Sequence, residues 1–374
     1  LLIMLLLGYY IFRWAKELYG PGAALLSLFL YAFSPTFLAH SRFVTTDVAA
    51  AAAIFISSYY FIRWLKSPTA KNLIIGGLVF GLAQLAKFSA FLLVILFAFI
   101  AASWIILKTR ENKQKAKRVG HALLKNIWRY FGGLIALMGI GFVFVVWPVY
   151  IYHTFNYPIW RQQQDTIYIL SSFGMRSIAN LIIWLSGIPL LRALSYYGLG
   201  LAMVLQRTVG GNTTYFMGEI YNFGWPDYFP TVYLLKETLT LHILTVLAVF
   251  YGVYQFFKKK LYGLRNFYDF LNLHPAEFLM FAFIELYWIW SARSILNIGV
   301  RHVLPTFAFI FILVSGQIVH WLKPKIDSAV SRTKKSLKEI LKESGFFLLK
   351  FSLLIALLSW QICGIISVYP SFLA

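Results

Sequence analysis

Uninterrupted apolar runs, most of them roughly 15–25 residues long, recur from one end of this chain to the other. No other feature narrows its fold as much. A helix rises 1.5 Å per residue, so about 20 apolar residues cross the hydrocarbon core of a bilayer. The runs lie near 1–12, 22–39, 48–65, 73–86, 88–107, 131–150, 233–256, 278–296, 303–321 and 346–366. They are apolar on every side instead of alternating, which excludes an outer-membrane barrel. Composition agrees: 60% of the residues are apolar and only 13% charged, about half the charge of a soluble domain. A soluble domain and a disordered chain are both excluded. The expected fold class is an all-α polytopic membrane protein. The single cysteine, Cys363, removes disulfide frameworks, CxxC redox sites and thiolate zinc sites.

The net charge of +21 resembles a nucleic-acid signature until the basic residues are located. Lys and Arg collect on the cytoplasmic side of membrane proteins. Here they alternate from loop to loop. Arg13 and Lys16 lie on one side, as do Arg63, Lys66 and Lys71, the run Lys108 to Arg129, the cluster Lys258, Lys259, Lys260 and Arg265, and the segment Lys323 to Lys350. Together these hold 25 of the 34 basic residues. The other nine, Arg42, Lys87, Arg161, Arg176, Arg192, Arg207, Lys236, Arg293 and Arg301, lie on or near the opposite, external face. The charge marks orientation, and no nucleic-acid partner is needed.

This parity makes 150–232 one large external loop. Within it, 178–205 is apolar but interrupted by basic residues, and we read it as interfacial helices. The cytoplasmic basic loops fall at 257–277 and 322–345. The whole of 1–374 reads as a single transmembrane domain with its working surface outward. The chain opens without Met in a short apolar run and closes at Pro370-Ser371-Phe372-Leu373-Ala374, so a core cut at both ends is expected.

Four polar groups stand on the external side. The first is His40-Ser41-Arg42-Phe43-Val44-Thr45-Thr46-Asp47. Asp47 or Thr46 fits as the N-cap of the following alanine-rich helix, and Arg42 can snorkel to headgroups. Alternatively, a carboxylate and a guanidinium on one tight loop suit transfer from an anionic donor. The second is Lys87, at the tip of a hairpin between two short spans. It either snorkels or neutralises a lipid phosphate. The third is Gly210 to Glu219, continuing through Trp225-Pro226-Asp227 to Lys236 and Glu237. Its aromatic residues form an interfacial belt or stack on sugar rings, with Glu219 and Asp227 accepting hydroxyl hydrogen bonds. The fourth is Asn297-Ile298-Gly299-Val300-Arg301-His302-Val303-Leu304-Pro305, where Arg301 and His302 at a helix opening offer a phosphate site. Glu285, midway along the preceding span, calls for a basic partner that the sequence does not name. No P-loop, GxGxxG after a strand, HExxH or GxSxG is present, so a nucleotide-driven cytoplasmic reaction has no visible site.

Together the four groups resemble the polyprenyl- or dolichyl-phosphate-sugar-dependent glycosyltransferases of the GT-C class, in the protein O-mannosyltransferase-like branch. The matching pieces are Ser34-Pro35 with His40 to Asp47, Gly81-Leu82-Ala83 through Lys87-Phe88-Ser89-Ala90, Tyr215-Phe216-Met217-Gly218 with Trp225 to Lys236, and Asn297 to Pro305. Tyr369 to Ala374 looks like the start of a further family motif.

The resemblance implies a GT-C-like helix bundle with a large external loop. It also implies inverting transfer on the outer face of a bacterial cytoplasmic membrane. A sugar, with mannose expected, leaves a lipid-linked phosphate for an external protein or glycan hydroxyl. Arg42, Lys87, Arg301 and His302 are the candidates for holding the donor phosphate. Glu219, Trp225, Asp227 and Lys236 are the candidates for sugar and acceptor. The family's main carboxylate base sits in a first external loop that would precede residue 1, which leaves Asp47 as a supporting acid. No cofactor is assigned, and a divalent metal finds no ligand set. The competing readings are a transferase acting on lipid A or a cell-wall glycan and, from a different class, a lipid or solute transporter. A transporter would be expected to show internal repeats with broken helices at mid-membrane. No repeat is seen here.

Overall fold

A computed structural model of the chain describes residues 1–43, 45–113, 119–258, 264–323 and 337–372. Val44, Leu373, Ala374 and parts of the three longer basic clusters and of the loops 257–277 and 322–345 lie outside the described residues. The elements run α1 (Leu2–Tyr19), α2 (Pro21–Ala32), α3 (Pro35–His40), α4 (Thr46–Lys66), α5 (Ala70–Ala86), α6 (Leu92–Lys113), α7 (Val119–Asn126), α8 (Gly133–Gly141), α9 (Trp147–Thr154) and α10 (Ile159–Ile169). There follow α11 (Arg176–Ser186), α12 (Arg192–Gly210), the hairpin β1 (Thr214–Phe216) and β2 (Glu219–Tyr221), α13 (Tyr228–Lys236), α14 (Leu239–Lys258), α15 (Leu264–Leu273), α16 (Pro275–Arg293), α17 (Leu304–Leu322) and α18 (Leu337–Ser367).

Among the described residues, six helical stretches are long and apolar enough to cross a membrane: Thr46–Lys66, Phe88–Glu111, Gly120–Thr154, Leu239–Lys258, Leu304–Leu322 and Gly345–Ser367. The chain is a predominantly helical integral membrane protein, as its apolar runs require. Several runs differ in detail from the sequence reading; 233–256, for one, is split between α13, which ends at Lys236, and α14, which starts at Leu239. The first run does not stop near residue 12; α1 continues through Arg13, which pairs with Glu17 one turn on at 3.2 Å. The run 22–39 is broken in two because Pro35 cannot continue the helix. Ser34 instead N-caps α3, its Oγ accepting the Phe37 N–H, and the Phe33 carbonyl takes a hydrogen bond from Gln361 Nε2 at 2.9 Å. The helical stretch from Gly120 reaches Thr154 as one piece, with wider π turns at Ile127–Gly132 and Phe142–Val146. Such π turns recur at functional sites and bends.

Two compact units emerge. The first comprises Leu1–Val48, Pro230–Leu271 and Thr306–Ala374. Its core is aromatic: Phe37 packs on Tyr31, Phe307 and Phe311, and Tyr233 packs on Phe307. Thr240 donates to Leu357 O at 2.8 Å, fastening α14 to α18.

The second unit comprises Ala49–Phe229 and Asn272–Pro305. Glycines set its closest helix approach. A Cβ on Gly77 would lie 2.7 Å from Leu137 O, and one on Gly81 would lie 2.6 Å from Gly141 O, so α5 and α8 touch backbone to backbone. The stretch 155–212 folds into three short amphipathic helices with their own core of Leu170, Phe173, Ala179, Ile182, Leu199 and Ala202. Eleven residues make α11 too short to cross a bilayer, and α12 is not among the six crossing stretches. Two of the arginines here cap backbone carbonyls. Arg192 donates to Thr154 O and Tyr157 O, both at 2.6 Å, and Arg176 donates to Leu170 O at 2.9 Å.

Candidate functional site

In the first unit the loop after α3 carries Arg42, which is exposed and donates from Nη1 to Pro370 O at 3.1 Å. Asp47 is buried at 6% exposure in the first turn of α4. A carboxylate there also complements the positive end of the helix dipole. Lys236 stands exposed in the last turn of α13.

Beside it lies Glu237, the end of the third group, to which the sequence assigns no role. Glu237 is buried, and its Oε1 accepts a hydrogen bond from Ser34 Oγ at 2.9 Å. Burial pushes this carboxyl up to about 7, against hydrogen bonds from Thr36, Ser34 and the Thr238 N–H that draw it down. Ser34 opens the short helix that delivers Arg42, while Glu237 follows Lys236 directly. The first group and the tail of the third are therefore fastened together. A carboxylate at the mouth of a long apolar run was the one available signal for Glu237, and sequence alone cannot report its burial.

In the second unit Lys87 takes extended backbone angles between α5 and the 3-10 turn Phe88–Phe91 that opens the next span. The side chain of Gln84 holds this break from below: its Nε2 donates to Ala90 O at 3.1 Å, and its Oε1 accepts from Tyr197 Oη at 2.9 Å. Tyr197 belongs to α12, so this helix grips the Lys87 turn. Phe88 packs against the same tyrosine at 5.6 Å.

The hairpin and the segment after it build an aromatic cluster. Phe216 lies 5.3 Å from Trp225 and 5.2 Å from Tyr228, and Tyr221 lies 5.7 Å from Trp225. Glu219, opposite Phe216 in the hairpin register, and Asp227, two residues after Trp225, are both exposed. The cluster is tied to the fourth group. Trp225 N–H donates to Asn297 Oδ1 at 2.7 Å, and Thr214 Oγ1 donates to Asn297 O at 3.1 Å.

Arg301 and His302 lie in a 3-10 turn, Val300–His302, that precedes α17 instead of opening it. Arg301 is half-buried and spends Nε on Ile298 O at 3.1 Å, so its remaining donors are the four N–H of the terminal nitrogens. Burial raises the Tyr228 hydroxyl, and the Gly299 N–H and the Arg301 charge pull it back. His302 is sandwiched instead of presented: its ring lies 5.1 Å from Phe229 and 5.6 Å from Tyr287, and both ring nitrogens are buried.

Thus 192–229 touches both the Lys87 turn and the Arg301 turn. Glu285, for which the sequence demanded a partner, is exposed on α16. Among the described residues no group of three or more His, Cys, Asp or Glu is placed to hold a metal ion.

Residues 1–120 match the family model described as dolichyl-phosphate-mannose-protein mannosyltransferase. The resemblance read from the motifs is borne out over that stretch, which contains Arg42, Asp47 and Lys87; the hairpin and the Arg301 turn lie beyond it. No curated protein matches the chain. Among solved structures, the apo crystal structure of the Archaeoglobus fulgidus oligosaccharyltransferase is similar at 14% identity and a TM-score of 0.45. The match covers 96% of this chain and 42% of that one, so the chain spans less than half of that protein's length.

Proposed function

We propose that this chain is a GT-C-type membrane glycosyltransferase. It moves a sugar, mannose first among the candidates, from a polyprenyl phosphate to an external hydroxyl, foremost a protein Ser or Thr, with inversion. The family match over residues 1–120 supports the donor class. The observation that carries the chemistry is that one segment of the second unit grips two cationic turns, those of Lys87 and Arg301, while presenting the Trp225 cluster between its own elements.

The chemistry asks for such groups. The acceptor oxygen attacks the anomeric carbon as the bond from that carbon to the phosphate oxygen breaks. Negative charge then grows on the departing polyprenyl phosphate. A guanidinium with free terminal donors binds phosphate bidentately, and Lys87 adds a point charge. His302, packed between two rings, supports the Arg301 turn in place of facing phosphate. Arg42, in the first unit, is by itself a candidate cation for lipid phosphate. Trp225 supplies an apolar face for a sugar ring, with Glu219 and Asp227 of the same unit for its hydroxyls; Lys236, in the first unit, is a separate candidate. The acceptor's proton passes to a carboxylate; within the first unit, Asp47 is the candidate supporting acid.

Purified protein in liposomes, given a labelled polyprenyl-phosphate mannose and a Ser/Thr peptide, tests this. The label is expected on the peptide with its anomeric configuration inverted. Label appearing only on a glycan acceptor would change the acceptor class. Movement of a solute across the membrane with no donor consumed would replace the reading with a transporter.

A further inference from the structure

We infer that Asn297 is the positioning residue that locks the aromatic cluster onto the Arg301 turn, so that sugar platform and guanidinium move as one body. This rests on the reading of Arg301 as a phosphate-holding group.

Asn297 is only 3% exposed, and both its oxygens are spent across the unit, while its Nδ2 is buried without a hydrogen-bond partner. Its side-chain oxygen takes the Trp225 N–H, 72 residues earlier, and its main-chain oxygen takes the Thr214 hydroxyl, 83 residues earlier. Thr214 is the first residue of β1, paired with Tyr221, so the two bonds hold the start of the hairpin and Trp225, four residues beyond its end. The approach is tight. Gly224 has φ +67°, and a Cβ there would fall 2.7 Å from Asn297 Oδ1 and 2.8 Å from Ile295 O. Only glycine fits both the left-handed backbone and the gap.

On the other side of Asn297 the chain folds back within four residues. Gly299 turns it with φ +89°, the His302 N–H closes on Gly299 O at 3.1 Å, and Arg301 Nε closes on Ile298 O. The guanidinium is thus held by the backbone next to Asn297, and that backbone is held by the hairpin. A short asparagine serves here because it offers an acceptor at the end of a stem that can be fully buried. An aspartate would keep the acceptor, whereas an alanine would leave the part-buried Trp225 N–H without it, which costs free energy.

Two measurements on the full chain in lipid nanodiscs decide the matter. The first is amide hydrogen exchange over 213–227. Asn297→Ala, and independently Gly224→Ala, are expected to speed exchange at Trp225 by about five- to tenfold while the spans stay protected. Asn297→Asp should restore protection. The second is a double-mutant cycle on the KM for polyprenyl-phosphate mannose. Asn297→Ala should raise that KM about five- to tenfold in wild type, with kcat changing less, and add nothing further in an Arg301→Ala background.

Unchanged exchange in Asn297→Ala overturns the lock. Effects on KM that multiply independently overturn the coupling to Arg301. If the wild-type protein consumes no lipid-linked sugar, the phosphate role of Arg301 falls, and the exchange result still decides whether Asn297 is the lock.

Discussion

The hydroxyl of Ser34 donates to the carboxyl of Glu237 at 2.9 Å, across 203 residues of sequence. The same oxygen caps α3 by accepting the Phe37 N–H. One serine therefore starts the short helix that leads to Arg42 and fixes the turn that carries Lys236. The bond joins two stretches that were separate motifs in the sequence.

Stability should depend on pH through Glu237. Its carboxyl titrates near 7 in the folded chain, against an ordinary 4.5. Between these values the folded chain keeps a proton that the unfolded chain has released. Stability from this group is thus full below pH 4.5 and falls as pH rises to 7, by roughly 3 kcal/mol in all. The thermal midpoint in detergent should drop between pH 5 and pH 8 in wild type and drop distinctly less in Glu237→Gln, which stays neutral. Equal slopes in the two proteins would remove Glu237 from the account.

The contact of α5 with α8 should tolerate no side chain. Gly81→Ala places a methyl against Gly141 O and the Gly141 Cα, both backbone, and should cost about 1–3 kcal/mol. Gly139→Ala on α8 meets nothing within 4 Å and serves as the control, neutral or stabilising through helix propensity. Thermal unfolding of the two variants makes the comparison, and similar midpoints would contradict the packing.

Loss of one hydroxyl should loosen the Lys87 turn. Tyr197→Phe removes the donor to Gln84 Oε1, leaving a buried acceptor unpaired at a cost of about 1–3 kcal/mol. Gln84 also holds Ala90 O, so amide exchange at 87–91 should rise in this variant. Exchange confined to α12 would show that the tyrosine supports its own helix alone.

Much of the fold could be read from the chain because lipid makes one demand, that apolar runs be helical. The break at Ser34-Pro35 was visible in the residues, yet apolar length concealed it, since Ser34 satisfies its polar groups against Glu237 and so behaves as core. Arg176 and Arg192 counted as external charges in the sequence. Both turned out to cap carbonyls, a use that depends on where Leu170 and Thr154 end their helices. The Arg301 motif was legible as a polar knot, whereas Asn297 within it was not. Its partners lie 72 and 83 residues away, and no local periodicity points to them.

If the Arg301 guanidinium stabilises a departing lipid phosphate, consumption of the lipid-linked donor must depend on its charge and its fork. Single-turnover consumption of polyprenyl-phosphate mannose is measured for wild type, Arg301→Lys and Arg301→Ala in liposomes, alongside their unfolding midpoints. Arg301→Ala should lose about 10²–10³ in rate with its midpoint nearly unchanged, and Arg301→Lys should recover part of the rate, having charge without the fork. Wild-type turnover in Arg301→Ala would contradict the account.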